Sequence, residues 1–208
     1  FLPFLKRKEM DESSLSDYFS FQFILGENSL LKNVRQIMPA HKGWINSNNK
    51  IKLSKYWDVN YDLDYEHPEE FFIDNIKSLI EDSARLHMRA DVEVGAYVSG
   101  GLDSSLLAQI GSTLRSEDQV SFKTFNGKFN EGVKFDESKY ARDLANENSM
   151  DLHVTNISEQ DFVDSISKVI YHLDTPVAGP GSFPQYMVSR DASKKLKVVF
   201  GGQGGDEI

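Results

Sequence analysis

The alternation of apolar and polar positions changes period repeatedly after residue 66, and each change marks an element. From Pro68 to Ala90, Phe72, Ile76, Leu79, Ile80, Ser83 and Leu86 keep close to one face of a helix that proline can open. Short apolar runs then alternate with helical spacing. The pattern predicts a strand near 93–98, a helix over 104–115, a strand over 120–125, a helix over 137–148 and a strand over 151–155. Helices over 159–172 and 184–195 and a strand over 197–200 follow. This rhythm predicts an α/β fold, a parallel sheet with helices on both faces, whose ligands sit at the carboxyl ends of the strands. Before residue 66 the pattern differs. Asp11-Glu12-Ser13-Ser14 opens a short helical segment, and Trp44-Ile45 and Ile51-Lys52-Leu53 flank the polar turn Asn46-Ser47-Asn48-Asn49, as in a small β-hairpin. Phe19, Phe21, Phe23, Trp44, Tyr56 and Trp57 read as packing residues, in a core or at an interface, rather than as a base-stacking platform.

Composition narrows the classes of function. The 208 residues allow one sizeable core plus smaller attached structure, and 32 acidic against 23 basic side chains give a formal charge of −9. No basic run is dense enough to track nucleic acid, so no nucleic-acid partner is expected. The absence of cysteine excludes disulfides, thiolate metal sites and a cysteine nucleophile within these residues. No apolar stretch approaches a membrane span and the first residues lack the order of a signal peptide, so no membrane partner is expected and the cytoplasm is the default location. The chain opens on Phe1 and closes inside a glycine-rich loop, which suggests a fragment of a longer protein. The five histidines show no metal-ligand spacing and are assigned no catalytic part.

Two loops carry the candidate chemistry. Val98-Ser99-Gly100-Gly101-Leu102-Asp103-Ser104-Ser105 joins a predicted strand to a predicted helix. Its glycines permit close backbone approach, the helix-start amides point toward an anion, and the serine hydroxyls add donors. No lysine follows the glycines, so the loop is not a Walker A motif. Asp103 stands near that place instead. A bare carboxylate beside a polyphosphate would repel it, which calls for a divalent cation, Mg2+ being the natural candidate. The second loop, Gly201-Gly202-Gln203-Gly204-Gly205-Asp206-Glu207, follows the last predicted strand, and its Asp206 could share one metal with Asp103.

The Ser-Gly-Gly-Leu-Asp-Ser run resembles the pyrophosphate loop of ATP pyrophosphatases, whose fold is adenine nucleotide alpha hydrolase-like and which cleave ATP between its α and β phosphates. Together with Lys55-Tyr56-Trp57, the Asp91–Ser105 segment, Phe135-Asp136-Glu137, Tyr171-His172-Leu173-Asp174-Thr175-Pro176 and the final loop, it makes the chain resemble the synthetase domain of glutamine-dependent asparagine synthetases. That resemblance implies ATP and Mg2+ as cofactors, aspartate and ammonia from glutamine as substrates, and an acyl-adenylate between them. It implies that Ser99, Gly100, Gly101, Asp103, Ser104 and Ser105 hold the pyrophosphate and that Val98, Gly127, Gly201 and Gly202 line the adenosine through backbone. Asp103 and Asp206 would bind the metal, and Asp136, Glu137 and Asp174 are candidates for fixing the site. Residues 1–65 are expected to be a linker and hairpin after an N-terminal glutaminase domain of the same parent chain, and 66–208 an ATP-binding synthetase domain truncated at its C-terminus. A homodimer is left open.

The chain departs from the family pattern at Gln203, which stands where many members carry a glutamate proposed to take a proton from the attacking ammonia. An amide cannot be that base. Two other readings therefore stay open: an amide ligase acting on a different carboxylate, as in relatives that close β-lactam rings or amidate other metabolites, and a nucleotide-binding module without turnover. The final loop and the missing basic patch argue against the tRNA-modifying branch of pyrophosphate-loop proteins.

Overall fold

The computed structural model describes residues 5–116, 121–129, 136–175, 177, 179 and 181–205. Val120, Phe135, Pro176, Asp206 and Glu207 lie outside the described residues, so the expectations placed on them are not met or refused here. The chain divides into two compact units, Phe1–Asp64 with Ser167–Pro180, and Tyr65–Ile166 with Gly181–Ile208.

The first unit begins with α1 (Glu12–Phe21), whose N-terminus is capped by the Asp11 carboxylate accepting from the Ser14 amide at 3.0 Å. Strands β1 (His41–Ile45) and β2 (Ile51–Lys55) pair antiparallel with Trp44 opposite Lys52, the expected hairpin. Asn46 shapes its turn by accepting from the amides of Asn48 and Lys50 at 3.0 and 2.9 Å. Phe19, Phe21, Phe23, Trp44, Tyr56 and Trp57 are all exposed, so none of them is a core residue. A two-stranded ribbon and a ten-residue helix have too little depth to bury so many rings.

The second unit is built on a four-stranded parallel sheet in the order β5 (Asp151–Ile157), β4 (Lys123–Phe129), β3 (Val94–Tyr97), β6 (Val198–Phe200). From β3 the chain moves outward through α3 (Leu102–Leu114) to β4 and through α4 (Ser138–Glu147) to β5. It then passes through α5 (Glu159–Leu173) and α6 (Ser182–Ala192) and returns to the other side of β3 as β6. The direction of strand order therefore reverses at β3. Alternation along the strands divides two cores. Val94, Ala96, Val98 and Phe122 meet Ala108 of α3 and Ala141 and Ala145 of α4, while Phe125 and Leu196 meet Val188 and Ala192 of α6. Helices thus cover both faces, as the sequence pattern predicts.

Two boundaries differ instructively from the pattern. Strand β4 runs on to Phe129 instead of stopping at Phe125, with the polar Asn126 held inside the sheet by one side-chain bond: its Nδ2 donates to the Val98 carbonyl at 2.7 Å, while its buried Oδ1 has no partner among the described residues. Helix α2 (Glu69–His87) forms where expected, but Ile76, Leu79 and Leu86 of its apolar stripe stay exposed. It meets α3 along one edge only, leaving an apolar groove of about 640 Å3 bordered by Ile73, Ile80, Leu106 and Ile110. No helix among the described residues is long and apolar enough to cross a membrane.

Close approach at the central strand is possible only without a side chain at Gly95, where a Cβ would stand 2.5 Å from the Lys123 carbonyl oxygen and 2.6 Å from Leu196 Cδ1. Gly95→Ala is expected to destabilise the protein by about 1–3 kcal/mol, read as a lower denaturant midpoint at unchanged slope. A midpoint equal to wild type would show that β3 and β4 separate at no cost.

Candidate active site

Sheet topology places the site. Strand order reverses at β3, and in open α/β sheets ligands are bound at the carboxyl ends of the strands at such a point. Both glycine-rich loops start there. The register pairs Ala96 with Phe200, so Tyr97 and Gly201 continue side by side, and a Cβ on Gly201 would lie 3.6 Å from the Tyr97 ring, an ordinary contact.

The first loop is organised by its own hydroxyls. Ser99 Oγ and Ser104 Oγ are 2.9 Å apart, the Ser99 amide donates to Ser104 Oγ at 3.1 Å, the Gly101 amide donates to Ser99 Oγ at 3.2 Å, and Ser104 Oγ donates to the Gly101 carbonyl at 3.2 Å. Helix α3 starts directly after Gly101 with no side chain capping it, so its first-turn amides, of Leu102, Asp103 and Ser104, have no partner within the helix. Gly100 adopts φ +101, a conformation disfavoured for other residues, and a Cβ on it would stand 2.9 Å from the Glu137 carbonyl oxygen. The start of α4 therefore backs the loop.

The second loop closes over Asp103. A Cβ on Gly202 would be 2.7 Å from the Ser104 nitrogen and 3.0 Å from Asp103 Cβ, and one on Gly205 would be 2.6 Å from Asp103 Cγ. The sequence placed two flexible loops at strand ends; the structure brings them into contact around one carboxylate. Gln203 projects from the same loop and is exposed. Asp206, bonded to Gly205, lies outside the described residues, and among the described residues no three His, Asp or Glu side chains gather into a metal cluster. Asp103 is one carboxylate of the kind that, together with phosphate oxygens and water, commonly holds magnesium.

Gly127 occupies a different position. Its bare Cα faces α6, where a Cβ would meet Val188 Cγ2 at 2.9 Å and Ile157 Cδ1 at 3.2 Å. Asp136 and Glu137 lie beside the first loop. Asp136 accepts from Lys128 Nζ at 2.7 Å, from the Ser138 amide at 3.0 Å and from Ser138 Oγ at 2.5 Å. These partners, Lys128 foremost, lower its carboxyl from 3.8 to about 2. Asp174 belongs to the other unit, in a left-handed conformation (φ 58) after α5.

Two residues of this region escape the sequence reading. Asn126, 2% exposed, anchors the Val98 carbonyl at the point where β3 becomes the loop, and Lys128 ties the end of β4 to the start of α4. Their signal was an amide and an amine continuing an apolar strand, residue types that strands disfavour unless something satisfies them.

Comparison with known proteins now decides the family. The asparagine synthase family model matches residues 75–208, which include both loops. The chain belongs to the asparagine synthase family. Similar proteins include asparagine synthetase (glutamine-hydrolyzing) 1 of Bacillus subtilis, 30% identical over 205 residues, covering 96% of this chain and 31% of that protein. A Methanocaldococcus jannaschii protein provisionally named asparagine synthetase (glutamine-hydrolyzing) 2 is 32% identical over 207 residues, covering 98% of this chain and 39% of that one. Amidase chyE of Penicillium rubens is 26% identical over 193 residues, covering 86% and 29% respectively. The chain spans about a third of the length of the curated relatives it matches.

Two outcomes follow from this geometry. Asn126→Leu leaves the buried Val98 carbonyl without its partner and is expected to cost about 1–3 kcal/mol, measured by urea unfolding; a variant as stable as wild type would show the bond to be dispensable. For Asp136, the carboxyl is more acidic folded than unfolded, so its stabilising contribution is complete above 3.8 and disappears as pH falls through about 2. Carboxyl carbon NMR should place its titration near pH 2, and a midpoint near 3.8 would mean that the Lys128 and Ser138 bonds do not hold in solution.

Proposed function

We propose that this chain is the ATP-binding part of an AMP-forming ligase that amidates aspartate to asparagine, using ammonia released from glutamine by a glutaminase domain earlier in the same parent chain. The observation that carries this reading is the enclosure of Asp103 by Gly202 and Gly205, in the first turn of a helix that no side chain caps. A carboxylate in that position opposes a polyphosphate unless both face a divalent cation. When bound, Mg2+ would supply neutralising charge for the pyrophosphate leaving group, held by Asp103 and Asp206.

In this reading Ser99, Gly100, Gly101, Ser104 and Ser105 orient the β and γ phosphates. The internal hydroxyl bonds of the loop fix its shape before the nucleotide arrives, which lowers the reorganisation needed in the reaction. Val98, Gly127, Gly201 and Gly202 approach the adenosine by backbone. An oxygen of the aspartate side chain attacks the α phosphorus, the bond to the β phosphate breaks, and pyrophosphate leaves. Ammonia then attacks the acyl carbon and AMP departs. Gln203 cannot accept the ammonium proton, so another group or the adenylate's own phosphate takes it. Residues 1–65 would connect the glutaminase domain to the ATP-binding part at 66–208.

A second reading has support of its own. One relative carries the name amidase chyE, and Gln203 removes the base expected for attack by ammonia, so a carboxylate other than aspartate is the alternative acceptor within the same chemistry.

The test supplies the full-length protein with ATP, Mg2+, ammonia and a panel of carboxylates, and measures AMP, pyrophosphate and amide. Aspartate is expected to give AMP and asparagine in equal amounts. Turnover of another acid moves the assignment to the second reading, and ATP binding without AMP from any acid leaves a binding module. Asp103→Asn is expected to lower kcat by about 10²–10³; undiminished turnover would remove Asp103 from the reaction.

A further inference from the structure

The pyrophosphate loop poses an electrostatic problem. Neither residues 98–105 nor 201–205 contain a lysine or arginine, the whole chain carries a charge of −9, and Asp103 faces the place where phosphates would lie. The sheet, however, delivers one ammonium to the same edge. Along β4, Phe125 and Gly127 face α6, so Asn126 and Lys128 face the side of α3 and α4, whose N-termini lie at the carboxyl edge of the sheet. Lys128 Nζ rests on Asp136 Oδ2 at 2.7 Å, and the neighbouring Glu137 carbonyl is the atom that backs Gly100. Lys128 is 26% exposed, so it is neither sealed in a core nor free in solvent.

The bonding of Asp136 divides between its two oxygens. Ser138, through its amide and its hydroxyl, holds Oδ1, and Lys128 alone of these partners holds Oδ2. Withdrawal of the lysine would leave the carboxylate with both Ser138 donors. The ammonium sits on a flexible four-carbon stem and can change partner without moving the strand.

We propose that Lys128 is a phosphate-binding cation held in reserve: with no anion present it rests on Asp136, and it turns from Asp136 to the polyphosphate when a nucleotide enters the loop. This inference rests on the reading of the loop as a nucleotide site. It adds a positive charge beside the loop, and it makes the ion pair a competitor of the ligand instead of a fixed latch between β4 and α4.

The two functions predict opposite signs, which a pair of substitutions separates. Inorganic pyrophosphate, MgATP and adenosine are titrated by calorimetry into the full-length protein and its variants. Lys128→Met is expected to weaken pyrophosphate binding about tenfold, Lys128→Arg to recover most of it, and Asp136→Asn to tighten it several-fold by releasing the competitor, with adenosine binding unchanged throughout. If Lys128→Met and Asp136→Asn both weaken pyrophosphate, the pair is a structural latch and the proposal falls. It falls also if Lys128→Met has no effect on a wild type that binds pyrophosphate. Should Lys128→Met fail to fold, the sign of Asp136→Asn decides alone, since any result but tighter binding overturns the proposal. A wild type that binds neither pyrophosphate nor MgATP overturns the nucleotide reading and this inference with it.

Discussion

Strand β3 is paired on both sides by strands reached in opposite directions, and this one constraint organises the second unit. A strand so placed must be narrow on both faces, because helices approach from each. Gly95 and Ala96 meet that demand, one toward Leu196 and one toward Ala108 and the α3–α4 side. The same double pairing leaves the carboxyl ends of β3 and β6 adjacent, so the two outgoing loops start side by side and meet at Asp103. The meeting place of the two glycine-rich loops is thus set by topology, without any side chain having to create it.

Rigidity then passes from sheet to loop by a short route. The Asn126 amide grips the Val98 carbonyl, the last main-chain group before Ser99, and Ser99 and Ser104 close the turn on themselves. On the far side, Glu137 blocks Gly100 by main-chain contact, and Asp136 is moored by Ser138 and Lys128. The loop is therefore held from beneath by β4 and from the side by α4. Such support belongs to a site whose amides must keep a direction, because hydrogen bonds to a developing charge lose value when the donors have to reorient.

Element types were legible because each depends on short-range periodicity. The parallel strands, the helices between them, the hairpin and the capped helix at Asp11 can all be read from patterns within a dozen residues. So could the loop from Ser99 to Ser105, since glycine, hydroxyl and carboxylate occur there in a run that has a chemical purpose. What sequence does not carry is distance. Nothing in Gly202 or Gly205 announces that both touch Asp103, and nothing in Asn126 names Val98 as its partner. The end of β4 was missed for that reason: the residue that looks like a strand breaker is held through its Nδ2 by a neighbour 28 positions away. The exposed rings of the first unit show the reverse case for the core half of the expectation, because the local elements offer no depth in which to bury them.

Gly202 and Gly205 carry a further meaning for the history of this chain. Most glycines in loops tolerate replacement once function is gone, since a flexible surface segment accepts nearly any side chain. These two press against a carboxyl group, so they mark a surface kept bare for the sake of its neighbour. In a lineage that stopped using the site, Asp103 would be free to shrink or turn away, and side chains would accumulate at 202 and 205 soon afterwards. The pair thus works as a drift gauge: within a set of descendants, joint loss at these positions should separate abandoned copies from working ones earlier than change at Gln203, whose side chain is exposed.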